Sequence, residues 1–397
     1  MKNISEGNKT VIFPEGRIDT NNADGFAAEL KAVIEASHGA VPDIDASELE
    51  YISSAGLRVL LTVTKKYGRI KVRNVSAPVY DIFSATGFTE VLDVDAPPKA
   101  DGIMDIITVP EFDLTGLELI TSDELVQTYR IDDDKIIRVF NEHLSLEYIR
   151  NNKQKTEISL KAGVPVCITF DIVDCGGRYG IIYENIKGAE PLIDIMSKDK
   201  PRLADTVTKL AEWTKKMNSI DVSRTSLTSS TNALRHLLSK MEATGVLTSD
   251  ETDRLRRVIV NIPESHCYSH SNLTPANILC KDGEFIVMDS FMASEGHPIV
   301  DLSSILWNFK MMPQFGRKDM RFTPDECELI WNTFLRTYLD TDDKQLLIKA
   351  EYQILQFTAV RYLTLMVMLP GTIDGSAILQ TKRTALAMSD SIEPLCF

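Results

Sequence analysis

The apolar positions of the first 95 residues keep switching between two rhythms. KTVIFPEGRI has the close-set apolar runs of a strand pair, whereas NNADGFAAELKAVIEA opens on Asn and Asp capping residues and then places its apolar positions at helical spacing. GAVPDIDASELEYI predicts a strand with its exit loop, SAGLRVLLTVTKKYG a helix ending at Gly68, RIKVRNV a strand and APVYDIFSATGF a short helix. Alternation of this kind predicts a small α/β domain over residues 1–95, a mixed sheet with helices packed on it.

The rhythm breaks at VDAPPKADGIMD, where two prolines and three aspartates in twelve positions mark residues 96–107 as a linker. Beyond it, TGLELI, LVQTYRIDD and DKIIRVF predict three antiparallel strands, with a turn at Asp132-Asp133-Asp134. LEYIRNNKQKTEISLKAG predicts a helix, and VCITFDIVDCGGRYGIIYENI a hairpin turning at Gly176-Gly177. From about residue 190 the pattern is mostly helical, interrupted at 266–300. Residues 108–397 therefore read as an α+β, bilobal domain, with a β-rich lobe over about 108–186, a helical lobe over about 187–397 and a cleft expected between them.

Length and charge narrow the function. A chain of 397 residues exceeds what one hydrophobic core usually organises, in keeping with more than one domain. Its formal net charge of −14 opposes a polyanionic partner, because nucleic-acid binding relies on clustered Lys and Arg, so nucleic acid is set aside. MKNISEGNKT lacks the apolar core of a signal peptide, and the best apolar run, TAVRYLTLMVML, is short and broken by Arg361, so neither secretion nor a membrane span is expected. Cys167, Cys175, Cys267, Cys280, Cys327 and Cys396 are scattered, with no CxxC pair and no His at ligand spacing. Neither a zinc site nor a disulfide framework is suggested, and a reducing cytoplasm fits best.

Two stretches carry chemistry. In YISSAGLRVLL, Ser53 and Ser54 stand where a strand gives way to a helix. A serine there serves either as an N-cap, worth about 1 kcal/mol, or as a phosphorylation switch, since a helix N-terminus favours a phosphate through its free N–H groups and dipole. The run DIDASELEYISSAGLRVLL resembles the signature of the STAS domain of bacterial anti-sigma factor antagonists. The resemblance covers residues 1–95 and assigns the phosphorylated serine to Ser54 (Ser53 being the alternative), the Gly-Leu pair to Gly56 and Leu57, and the acidic strand end to Asp45. Ser53 and Ala55 depart from the signature, at an Asp and at a second hydroxyl position. What the resemblance implies is a domain that binds an anti-sigma factor, itself a serine kinase, and lets go when phosphorylated.

The second stretch is HSNLTPANIL, followed from residue 286 by IVMDSFMASEGHPIVDLSSI. It resembles the aminoglycoside phosphotransferase and choline kinase superfamily over residues 108–397. The resemblance implies a protein-kinase-like fold that uses ATP and Mg²⁺, with His270 as the loop histidine, Asn272 at the catalytic-base position, Asn277 and Asp289 as metal ligands and Asp301 as a buried structural aspartate. It also implies nucleotide-binding roles for Arg138, Glu157, Glu184 and Ile186. Arg138 stands where a phosphate-pairing lysine is expected, with Glu157 expected to pair with it, and Tyr183-Glu184-Asn185-Ile186 is a hinge offering backbone groups to adenine. For the Arg138–Glu157 pair a purely structural role serves equally well, and for Asn277 and Asp289 the alternative is a turn asparagine and a strand-end aspartate bonded to loop amides. His266 and His297 read as loop or surface residues.

Three departures point the same way. Asn272 is an amide with no proton-accepting state near neutral pH. Arg138 replaces a compact ammonium with a planar fork. Thr121, Ser122, Asp123 and Glu124 stand where glycines would let backbone approach phosphate. The sequence therefore predicts an anti-sigma factor antagonist-type regulator fused to a pseudokinase that binds nucleotide or a small hydroxylated ligand. The alternatives are an active small-molecule phosphotransferase governed by its STAS domain, and a pure docking scaffold.

Overall fold

The computed structural model describes residues 2–6, 9–97, 109–123, 125–312, 321–368 and 375–397. The expected linker at 96–107 lies outside the described residues from position 98 onward. The chain divides into two compact units, Met1–Ala189 and Glu190–Phe397.

The first unit opens with strands β1 (Lys2–Glu6), β2 (Lys9–Phe13) and β3 (Gly16–Ile18), helix α1 (Ala23–Ala36), strands β4 (Asp43–Asp45) and β5 (Leu49–Ile52), and helix α2 (Ser54–Tyr67). Strand β6 (Lys71–Arg73), helices α3 (Ala77–Ala85) and α4 (Phe88–Val91) and strand β7 (Asp93–Val94) complete this part. One sheet runs β1-β2-β4-β6-β7, antiparallel at its first pair and parallel thereafter, which is the mixed sheet that the alternating pattern predicts. KTVIFPEGRI forms two strands that do not pair with each other. Pro14 interrupts the run and Gly16 takes a left-handed conformation (φ +66°), so β3 leaves the sheet and pairs with β5 in a separate parallel ribbon.

Helix α2 buries Leu57, Leu60, Leu61 and Val63 and ends at Gly68, whose φ of +112° suits glycine alone. The glycine inside the helix has a packing role. A Cβ on Gly56 would stand 2.7 Å from Ile18 Cγ2 and 2.7 Å from Ile52 Cγ1, so only glycine lets the start of α2 sit on the β3–β5 ribbon. Gly56→Ala is expected to cost about 1–3 kcal/mol through overpacking, seen as a lower denaturant midpoint with an unchanged slope.

The rest of the first unit contains strands β8 (Glu118–Ser122), β9 (Val126–Arg130) and β10 (Lys135–Phe140), helix α5 (Leu146–Lys161), and strands β11 (Thr169–Asp174) and β12 (Tyr179–Glu184). These strands make an antiparallel sheet in the order β11-β12-β10-β9-β8, with α5 packed on β11 and β12. Helix α5 is capped by Ser145 Oγ, which accepts from the Tyr148 amide at 3.2 Å. The β11–β12 hairpin turns at Gly176 and Gly177, both at positive φ.

The second unit is mainly helical: β13 (Glu190–Pro191), α6 (Leu192–Lys198), α7 (Leu203–Met217), α8 (Ser230–Ala243) and α9 (Ser249–Val260). Short strands β14 (Tyr268–Ser269), β15 (Ile278–Lys281), β16 (Glu284–Val287) and β17 (Ser294–Glu295) interrupt the helices where the sequence pattern does. Helices α10 (Ile299–Leu306), α11 (Pro324–Leu339), α12 (Lys344–Met368) and α13 (Gly375–Met388) follow. Among the described residues no helix is long and apolar enough to cross a membrane.

Candidate functional site

The start of α2 is uncapped. Ser53 occupies the N-cap position in an extended conformation, yet its hydroxyl makes no capping bond and is buried without a hydrogen-bond partner among the described residues. Ser53 therefore holds the N-cap position without the capping bond that an N-cap serine is expected to make. Ser54, the first helical residue, is 3% exposed. The first-turn amides lack intrahelical acceptors, as in any helix, and among the described residues no side chain caps them. Asp45, at the end of β4, is tied down separately: it accepts from Ser47 N at 3.1 Å and Asn74 Nδ2 at 2.8 Å, with Arg73 Nε 3.3 Å away.

One turn beyond Ser54 lies a residue that the sequence reading missed. Arg58 Nε donates to Glu184 Oε2 at 2.7 Å, one of its Nη atoms to Glu184 Oε1, and the same Nη to the Val166 carbonyl at 3.0 Å. The Glu184 side chain is 2% exposed and that of Arg58 24%. Burial works against the Arg58 charge, but the Glu184 carboxylate outweighs it and holds the guanidinium above its ordinary pKa. Ser54, Arg58, Leu61 and Lys65 fall within roughly 60° of arc on the helix. Lys65 Nζ donates to the Gly163 carbonyl at 3.0 Å, and Lys153 Nζ on α5 donates to the Ala85 carbonyl at 2.7 Å at the end of α3. The stripe of α2 that begins at Ser54 is therefore tied through Arg58 to the end of β12 and the Val166 carbonyl, and through Lys65 to the Gly163 carbonyl just past α5, while Lys153 ties α5 to the end of α3. No periodicity could reveal this, because the partner of Arg58 lies 126 positions away.

In the antiparallel sheet, Arg138 stands on β10 opposite Ile181 and Thr128, its guanidinium 5.9 Å from the centre of the Tyr183 ring. The expected Arg138–Glu157 pair is not formed. Glu157 is bonded to Lys153, one helical turn earlier, because an i,i+4 partner on the same helix needs no tertiary alignment. The β8–β9 turn also closes on itself. Asp123 Oδ1 accepts from the amides of Leu125 and Val126, each at 2.8 Å, so a side chain takes the N–H groups that a glycine-rich turn would present to phosphate. Glu124 lies outside the described residues. In the expected hinge, Glu184 N donates to the Ile168 carbonyl at 3.0 Å and Asn185 N to the Asp134 carbonyl at 2.7 Å. Two hinge amides are thus already committed, leaving an adenine contact to Ile186 or to carbonyls.

In the helical unit, His270 is fully buried, and its Nε2 donates to the Met288 carbonyl at 2.9 Å. Burial pushes the imidazole below its usual pKa, which makes it neutral at pH 7. Asp301, also fully buried on α10, accepts from His270 N at 3.0 Å, Ser271 N at 2.7 Å and Asn218 Nδ2 at 2.8 Å. Burial raises its carboxyl pKa against the pull of these donors. Asn272 follows directly, half-buried, and its carbonyl accepts from Asn277 Nδ2 at 3.1 Å. That bond turns the oxygen of the Asn277 amide the other way. Ile278 pairs with Val287 across β15–β16 and Met288 N donates to the Asn277 carbonyl at 2.8 Å, which brings Asp289, at φ +57°, beside Asn277. Among the described residues no group of three or more His, Cys, Asp or Glu could hold a metal. An amide oxygen and one carboxylate suit Mg²⁺ held jointly with phosphates and fall short of an all-protein site. His266 is exposed and bonded to Glu295; His297 is half-buried, its pKa lowered to about 4 by burial.

Comparison with solved structures returns similarity to an aminoglycoside phosphotransferase APH(4)-Ia in ternary complex with ADP and hygromycin B, at 14% identity and a TM-score of 0.49, covering 70% of this chain and 95% of that one. A choline/ethanolamine kinase family protein from Mesorhizobium loti is similar at 14% identity and a TM-score of 0.47, covering 69% and 88%. At the N-terminus, the family model described as "Mlab, STAS domain" matches residues 4–93. A protein of Bordetella bronchiseptica named "Putative anti-sigma factor antagonist BtrV" is 33% identical over 84 residues, which is 20% of this chain and 72% of BtrV. Through that N-terminal region, whose uncapped helix start holds Ser53 and Ser54, the chain belongs to the STAS-domain family of anti-sigma factor antagonists.

Proposed function

We propose that this chain is a phosphorylation-switched regulator. Its STAS domain, residues 1–95, binds a partner anti-sigma factor that is a serine kinase, and that kinase modifies Ser54. The observation that carries this reading is the helix start itself: a hydroxyl on the first residue of α2, beside amides that no described side chain caps. A phosphoryl group there gains those amides and the helix dipole, while about 1.5 to 2 added negative charges in a docking surface disfavour the partner.

Residues 108–397 are proposed as a kinase-like domain that has given up phosphoryl transfer and kept nucleotide. The self-closed β8–β9 turn supports the loss, since Asp123 both occupies the amides and adds negative charge where phosphate would approach. The Asn277–Asp289 pair supports retention of Mg²⁺ with a nucleotide, because the cation would add the charge neutralisation that two neutral or singly charged ligands lack. Differential scanning fluorimetry checks it: ATP with Mg²⁺ at about 100 times its Kd should stabilise the chain by about 2.7 kcal/mol, a rise of several degrees that Asp289→Ala removes. An unmoved melting temperature at millimolar ATP and Mg²⁺ would leave the domain a docking scaffold. The enzymatic reading, a small-molecule phosphotransferase acting on an alcohol, draws on the same metal pair and is separated by turnover.

A further inference from the structure

We propose that Arg58 reads the state of Ser54, and that the β-rich lobe is the in-cis occupant of the STAS helix face. With Ser54 unmodified, Arg58 latches α2 to the end of β12 through Glu184 and the Val166 carbonyl. Residues i and i+4 are neighbours on a helix surface, so a phosphoryl group on Ser54 lies within reach of the same guanidinium. It offers nearly twice the charge of a carboxylate and three acceptor oxygens, without any loop to close. The modification itself replaces the Oγ–H bond with Oγ–P at the expense of a nucleoside triphosphate, the nucleoside diphosphate leaving and the proton passing to the kinase's base.

Arg58 has N–H groups enough for two partners but only one positive charge, and a phosphate and the Glu184 carboxylate together carry nearly three negative ones, so the two anions compete for it. When it turns to the phosphate, Glu184 keeps, among the described residues, the Ile168 amide 2.6 Å away, and a buried carboxylate deprived of its cation favours the arrangement that lets water reach it. The α2 face then separates from the lobe, and β12, which runs into the expected adenine hinge, loses its tether. The reverse follows from the proposal: Ser54 is 3% exposed and stands one turn before the latched Arg58, so a kinase reaches it only in molecules whose α2 start has opened. The lobe thereby acts as a competitor of any trans partner for one helix face.

The inference builds on the reading of Ser54 as a switch, but its test does not depend on finding the modification. Hydrogen exchange of the full chain is followed over residues 54–67, 163–168 and 179–184. Ser54→Glu should speed exchange in the lobe segments at least tenfold, while the uncharged Ser54→Gln stays within threefold of wild type. Arg58→Met and the shape-preserving Glu184→Gln should each give the tenfold rise alone, and Ser54→Glu should add less than twofold in the Arg58→Met background. Circular dichroism confirms that each variant is folded. Equal effects of Glu and Gln at position 54, or a full tenfold increment from Ser54→Glu without Arg58, would overturn the proposal. Absence of phosphate in cells would sink the switch reading and leave these exchange results standing.

Discussion

Replacing Asp301 with alanine is expected to cost the helical unit about 3–5 kcal/mol, which places it among the severe single substitutions. The carboxylate is the only described acceptor for the His270 and Ser271 amides, and one of two for Asn218 Nδ2. Each buried donor left without a partner costs about 1–3 kcal/mol. Asp301→Asn keeps one acceptor oxygen but sets an NH₂ against a donor, and should lose roughly half as much. Denaturant unfolding of the full chain measures both. A loss under 1 kcal/mol for Asp301→Ala would mean that the loop carrying Asn272 is held by something else, Arg361 being the obvious candidate through its bonds to the Ser271 carbonyl and the Ser303 and Ser304 hydroxyls.

The second large effect concerns catalysis. Wild-type chain should transfer no phosphoryl group from ATP to water or an alcohol above background, and Asn272→Asp alone should raise the rate less than tenfold. A restored base is worth about 10²–10⁴-fold, but only when the phosphates are held. Asp123 takes two amides of the β8–β9 turn, and the guanidinium of Arg138 cannot act as a compact ammonium. Adding Asp123→Gly and Arg138→Lys to Asn272→Asp should release most of that factor. Labelled phosphate release from ATP decides it: turnover in wild type, or a hundredfold rise in the single variant, would make this an enzyme.

Much of the fold was legible because it depends on local rules. The start of α2 at the serine pair, its end at Gly68, the turn at Gly176-Gly177 and the interruption of the helices at 266–300 all follow from capping, glycine and periodicity. Strand partners were less legible. β2 and β3 are consecutive yet pair with different strands, because Pro14 and the left-handed Gly16 redirect the chain. Strand β1, in the polar MKNISEGNKT, carries too few apolar positions to announce itself. Side-chain partners were least legible of all. Glu157 had two cations to choose from and the geometry favours Lys153, on its own helix; nothing in the periodicity of α2 sets Arg58 apart, because its partner Glu184 is distant in the chain. Asp123 was visible as a wrong residue for a phosphate turn, while its bonds to the amides of that turn were not.

The phosphate chemistry proposed for this protein lies at Ser54, as a receiver. Phosphopeptide mass spectrometry of the full chain purified from its own cells, covering the segment from Lys31 to Arg58, tests it most directly. Phosphate is expected on Ser54 in a condition-dependent fraction of molecules, lost in Ser54→Ala without transfer to Ser53. Complete coverage of that segment with neither serine ever modified, across growth and stress conditions, would contradict it.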